Sequence, residues 1–115
     1  MKTLLFLLLI STTVFAGSFD IITNNGKSGH GYYDEQSGTY DIYYNDGRYV
    51  HGHINSNGYF YQMDNRNDTS IGYYDKESGN FYTDGEYGAV EGSGNYYKYD
   101  KNSEKAVEHG VIILY

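Results

Sequence analysis

The 115-residue chain contains no cysteine, no proline and no tryptophan. Without cysteine it cannot hold itself together by disulfides, as small exported domains often do, and it offers no thiol nucleophile. Large aliphatic residues are also scarce. Residues 17–115 hold one Leu, seven Ile, four Val and three Phe, which is 15 of 99. That share lies below the ~20% at which a chain usually fails to build a core. Positive charge is short too, with 8 Lys and Arg against 15 Asp and Glu. A nucleic-acid partner wants a basic stripe, so this balance argues against one, and equally against anionic membrane surfaces. It is compatible with solubility, cation binding or basic partners.

Tyrosine is abundant, at 16 residues, and every one lies beyond residue 16. A tyrosine buries a large ring while its hydroxyl stays wet, so it can build a thin, half-exposed core where Leu and Val are few. Residues 1–16 read as a signal peptide: Lys2, then the apolar run from Leu4 to Ile10, then Val14-Phe15-Ala16 before Gly17. The run is far shorter than the ~20 residues of a spanning helix. Cleavage near Ala16 would remove Lys2 and take the net charge from −7 to −8. The expectation is therefore an exported chain, secreted or extracytoplasmic, with 17–115 as one domain and no membrane span after cleavage.

The chain uses one stretch twice. Residues 31–38 read Gly-Tyr-Tyr-Asp-Glu-Gln-Ser-Gly and residues 72–79 read Gly-Tyr-Tyr-Asp-Lys-Glu-Ser-Gly. Tyr43-Tyr44-Asn45-Asp46-Gly47-Arg48-Tyr49 follows the first copy, and Phe81-Tyr82-Thr83-Asp84-Gly85-Glu86-Tyr87 follows the second, after a three-residue deletion. Gly58 to Asp64 matches Gly94 to Asp100 more loosely, with the aromatics in phase. A period of about 40 residues points to stacked supersecondary units.

Between Gly, Asn and Asp turns the chain reads as short strands: 17–23, 28–34, 39–44, 48–54, 59–63, 69–74, 80–83, 86–91, 95–99 and 106–115. That spacing predicts an all-β antiparallel meander of short hairpins, as a thin sheet, small sandwich or open barrel. Asp46-Gly47 suits a type I′ turn. The run Val111-Ile112-Ile113-Leu114-Tyr115 suggests a strand covered on both faces, or one that closes the sheet at its edge. No helical period is convincing; the best stretch, 100–108, is short.

Asn25 to Gly31, Asn45 to Gly52, and Gly92-Ser93-Gly94-Asn95-Tyr96 resemble the units of MORN repeats. That resemblance implies an elongated single-layer meander of hairpins serving as a scaffold for protein or lipid contacts.

Successive strand residues face opposite sides. Each doublet, Tyr32-Tyr33, Tyr43-Tyr44, Tyr73-Tyr74 and Tyr96-Tyr97, therefore sends one ring inward and one outward. Exposed Tyr among Gly, Asn and Ser is the composition of adaptable recognition surfaces, though such rings also stabilise a sheet as cross-strand ladders. His51 and His53 share a strand face, with His30 in the preceding element, and could take a transition metal; no spacing fixes a third ligand. Asp64 to Asp68 has the polarity of a calcium loop but lacks its glycine and terminal glutamate. Gly26-Lys27-Ser28-Gly29-His30 is not a nucleophile elbow, and no phosphate-cradling loop is present. Asn67-Asp68-Thr69 is a glycosylation sequon. These patterns predict a non-enzymatic exported binding domain without a cofactor, presenting an aromatic Tyr/Gly face to a glycan or protein partner. The alternatives are a self-associating structural, matrix or surface component and, further off, an exported metal-binding protein.

Overall fold

The computed structural model describes residues 16–102 and 106–115; the leader reading of residues 1–16 falls almost wholly outside them. Ten strands follow one another: β1 (Ala16–Thr23), β2 (Ser28–Asp34), β3 (Thr39–Tyr44), β4 (Tyr49–Ile54), β5 (Tyr59–Asp64), β6 (Thr69–Tyr74), β7 (Asn80–Thr83), β8 (Glu86–Val90), β9 (Asn95–Asp100) and β10 (Ala106–Leu114). Each pairs antiparallel with the next, and β10 pairs with β1, so the meander closes into a barrel. The strand limits match the sequence reading within a residue or two. The molecule measures 36 × 30 × 25 Å. It is a closed barrel, not the elongated layer that the MORN resemblance implies. The apolar last strand closes the sheet, with Ile113, Leu114 and Tyr115 exposed.

Turn chemistry sets the register. In both copies of the repeat, Asp and Gly close the same turn. Gly38 N donates to Asp34 O and Gly79 N to Asp75 O, at 2.8 and 2.7 Å. The same Asp side chains accept from Gln36 N and Glu77 N. Gly38 and Gly79 have φ of 78° and 81°, a region that L side chains resist. The Asp46-Gly47 turn corrects the type I′ expectation. Only Gly47 is left-handed, with φ 91°, and its N–H bonds to Tyr44 O. The chain thus makes a three-residue loop ending in a bulge glycine, which twists the hairpin further. Asn67 holds the corresponding place after Asp64, with φ 68°.

The deepest regularity has half the period seen in the sequence. Each of the five hairpins sets an inward aromatic opposite a glycine: Phe19 and Gly31, Tyr40 and Gly52, Phe60 and Gly72, Phe81 and Gly88, Tyr96 and Gly110. In the first four pairs the ring lies over the bare glycine backbone; at Gly110 the Ile22 carbonyl takes the place a Cβ would need. A Cβ on Gly31 would stand 2.4 Å from Phe19 Cζ, and one on Gly52 2.3 Å from Tyr40 Cζ. Large next to none is how a narrow barrel fills its interior.

The interior is uneven. Phe19, Ile21, Tyr40, Ile42, Val50 and Tyr96 form an apolar cluster, against which Tyr33, Tyr44, Val90 and Ile112 pack. From β5 onward the inward positions carry Gln62, Asp64, Lys98 and Glu108 alongside the aromatics.

Candidate functional site: an opening in the barrel wall and a tyrosine row beside it

The second copy of the repeat is the short one. From Gly38 to the residue bonded to its carbonyl, Ile54, the chain takes 16 steps; from Gly79 to Val90 it takes 11. The shortened hairpin turns at Thr83 to Glu86, where Thr83 Oγ1 accepts from Glu86 N at 3.1 Å. The β2–β3 ladder runs from Gly29 to Asp34, whereas the β6–β7 ladder covers only Gly72 to Tyr74. Thr69, Ser70 and Ile71 therefore pair with β5 but have no partner on their β7 side among the described residues.

Behind this gap lies a cavity of about 470 Å³, reaching from Gln62 and Ser70 inside to Asp68, Asp84 and Asp100 at the rim. Arg48, Gln62 and Asp64 line its inner wall and belong to a larger set of buried polar groups. Arg48 Nε donates to Asp64 Oδ2 at 2.9 Å, both side chains almost wholly buried. Asp64 Oδ1 also accepts from Arg66 N and Asp68 N, at 2.8 and 2.9 Å. Burial alone would raise the Asp64 pKa, but the Arg48 bond and the two amides outweigh it and hold the carboxyl below its usual range. Tyr40 Oη donates to Gln62 Oε1 at 2.6 Å. Lys98 Nζ sits between Glu108 and Glu86, at 3.6 and 3.9 Å. Its burial lowers its pKa against the pull of those carboxylates. Tyr96 Oη donates to Glu108 Oε2 at 2.7 Å. Desolvation keeps the Tyr40, Tyr44 and Tyr96 hydroxyls protonated far above the ordinary tyrosine range.

The outer face carries the remaining rings. Each doublet does split. Tyr32 and Tyr43 are exposed, and Tyr73 and Tyr97 lie half-buried on the same outer face. Tyr33, Tyr44, Tyr74 and Tyr96 point inward and drop out of the candidate aromatic face. Tyr33 and Tyr44 pack on the apolar cluster and Tyr96 is part of it.

Two rows of outer residues result. On β1 to β4, Asp20, His30, Tyr43 and Tyr49 are consecutive cross-strand partners. Their carboxylates tie them down. Asp41 Oδ1 accepts from Tyr49 Oη and lies 2.6 Å from His51 Nδ1; Asp20 accepts from Tyr115 Oη and meets His30 Nδ1. On β5 to β9, Tyr59, Tyr73, Tyr82, Tyr87 and Tyr99 pair in one unbroken row. Tyr59 and Tyr73 rings meet at 5.2 Å, and Tyr87 and Tyr99 stack at 5.1 Å with a 10° angle. The hydroxyls of Tyr59, Tyr73, Tyr82 and Tyr99 have no hydrogen-bond partner among the described residues.

Reading doublets missed four of these five, because Tyr59, Tyr82, Tyr87 and Tyr99 stand singly in the strand pattern. The buried polar set was missed as well. Its trace is the two-residue step from an inward aromatic, Phe60 to Gln62 to Asp64 and Tyr96 to Lys98.

His51 and His53 share the exposed outer face of β4, as their spacing requires. His51 is engaged by Asp41, and no group of three His, Asp or Glu able to hold a metal forms among the described residues. Asp64 to Asp68 is a hairpin turn whose first carboxylate faces the barrel interior. No family model, curated protein or solved structure matches this chain.

Proposed function

We propose that this protein is a non-enzymatic, exported binding domain whose β5–β9 face engages a glycan or protein partner through Tyr59, Tyr73, Tyr82, Tyr87 and Tyr99. The observation that carries this reading is the row itself: five rings on consecutive strands, four with hydroxyls that have no hydrogen-bond partner among the described residues. At ~4.8 Å between strands, the row presents rings and donors over roughly 19 Å. Rigid rings with a polar end give contact area at low entropic cost. The other outer row uses its polar groups on Asp20 and Asp41, and so is the lesser candidate.

The barrel wall favours a free domain over two other readings. Most strands run 4 to 7 residues, short of the ~9–11 that cross a bilayer. Self-association by strand addition needs an open edge, and the unpaired stretch Thr69–Ile71 is too short to propagate a sheet.

The test is a glycan array and a surface pull-down with the chain and its Tyr59→Ser/Tyr82→Ser/Tyr99→Ser variant, with Tyr32→Ser as control. Binding lost in the triple variant, with an unchanged circular dichroism spectrum and binding kept in the control, supports the reading. Equal binding by all three proteins, or none by any, defeats it.

A further inference from the structure

The opening beside β6 has a chemistry of its own, independent of the tyrosine row. Five carboxylates line the cavity: Asp64, Asp68, Asp84, Glu86 and Asp100. Asp64 is answered by Arg48 and Glu86 by Lys98. Asp68, Asp84 and Asp100 have no ion-pair partner among the described residues. These three rim groups form no metal-holding cluster among the described residues, but an ammonium group needs only one carboxylate as its direct partner.

A second observation points inward. Gln62 lines the cavity and is only 2% exposed. One of its amide atoms is used by Tyr40 Oη. The other has no partner among the described residues, whichever way the amide is turned. A buried polar atom without a partner costs about 1–3 kcal/mol, so a ligand that pairs with it gains that amount. A hydroxyl serves either orientation of the amide, since it both donates and accepts. The volume falls within the ~300–1,000 Å³ of small-molecule sites.

We propose that this cavity binds a small hydroxylated organic amine. Its ammonium group pairs with the carboxylate of Asp84 or Asp100 at the rim, where Asp68 adds to the negative field, and its hydroxyl pairs with the free amide atom of Gln62 inside. Arg48 and Lys98 do not repel it, because each is held by a carboxylate. The site exists because the β7–β8 hairpin is short; at the length of β3–β4 it would cover Thr69 to Ile71.

The experiment titrates the full chain, by two-dimensional amide NMR, with ethanolamine and glucosamine, and with ethylene glycol and glucose as their uncharged counterparts. The expected result is saturable shifts at Ser70 and Thr83 to Glu86 with at least one amine, with at least tenfold weaker binding of its uncharged counterpart. Asp84→Asn/Asp100→Asn, at exposed positions, is expected to weaken that amine at least tenfold, and Gln62→Met to weaken it similarly. Should Gln62→Met fail to fold, the rim variant carries the test. No saturable shift with any amine, equal binding of the controls, or an unaltered rim variant would overturn the proposal.

Discussion

The two copies of the Gly-Tyr-Tyr-Asp stretch make the same turn and then part company. In the first, β3 and β4 are six residues each, and they bring Ile42 and Val50 to 0% and 2% exposure. In the second, β7 and β8 have four and five residues, and the corresponding inward places hold Thr83 and Glu86. One side of the barrel is thus dry and closed, the other polar and open. The turn is a local device that tolerates a change of strand length. The interior is not local: shortening one hairpin removes the wall beside its neighbour, and water reaches groups that must then be polar.

The largest effect that separates the two sides is expected at Asp64. Asp64→Ala takes the carboxylate from the buried Arg48 guanidinium and frees two turn amides, and should cost about 3–5 kcal/mol in urea unfolding. Ile42→Ala, the matching cut on the dry side, should cost about 2–5 kcal/mol through its cavity. The pair Arg48→Met/Asp64→Leu sharpens the contrast. If the polar side is held by complementarity, the double variant recovers most of the loss. A residual deficit of about 1–2 kcal/mol should remain from the amides of Arg66 and Asp68. A double variant as unstable as Asp64→Ala would show that the polar side needs its charges.

The pH dependence follows from the same groups. Asp64 has a lowered pKa, so its contribution is complete above the unfolded carboxyl pKa of about 3.9 and is lost as pH falls through the folded value. Asp64→Asn should flatten that part of the acid limb. Tyr40, Tyr44 and Tyr96 are raised, so their contribution is complete below about pH 10 and is lost as pH climbs beyond it. Lys98, lowered by burial, works in the opposite sense, as one group against three. Tyr40, Tyr44 and Tyr96 should then form tyrosinate only as the barrel melts, so that part of the absorbance change should coincide with loss of the circular dichroism signal. Ionisation of every ring before the melt would contradict the interior placement.

Much of the barrel was legible in the chain because its signals are local. Turn residues at Asp34, Gly38, Asp75 and Gly79 and the alternation in Tyr49 to Ile54 depend on near neighbours. Closure was not legible, since β1 meets β10 through pairs such as Ile21 with Ile112, which no short window contains. The halved period was hidden for a related reason: its mark is an aromatic facing a glycine across a strand pair, and Phe19, Tyr40 and Phe60 share little sequence around them. The polar cavity was invisible because a Gln or Lys two residues from an inward aromatic looks like surface until the barrel closes over it. Alternation splits each doublet but does not say which ring faces outward, and the longer row comes from tyrosines that stand alone.

The smallest expected difference lies between the two outer rows, and it bears most directly on binding. Tyr49 gives its hydroxyl to Asp41 at 2.6 Å, and that bond is the main reason its pKa is raised. The Tyr82 hydroxyl has no such partner. Tyr49→Phe therefore deletes a charge-assisted bond at a partly exposed site, and should cost about 0.5–1.5 kcal/mol. Tyr82→Phe removes nothing the fold uses and should stay within about 0.5 kcal/mol. Chemical denaturation of the two variants checks the pair. Equal losses would mean that the β5–β9 row is held by bonds of its own, and its hydroxyls would then no longer be open to a partner. A loss at Tyr49 alone would leave a row that is rigid in its rings and unspent in its hydroxyls, the combination a recognition surface requires.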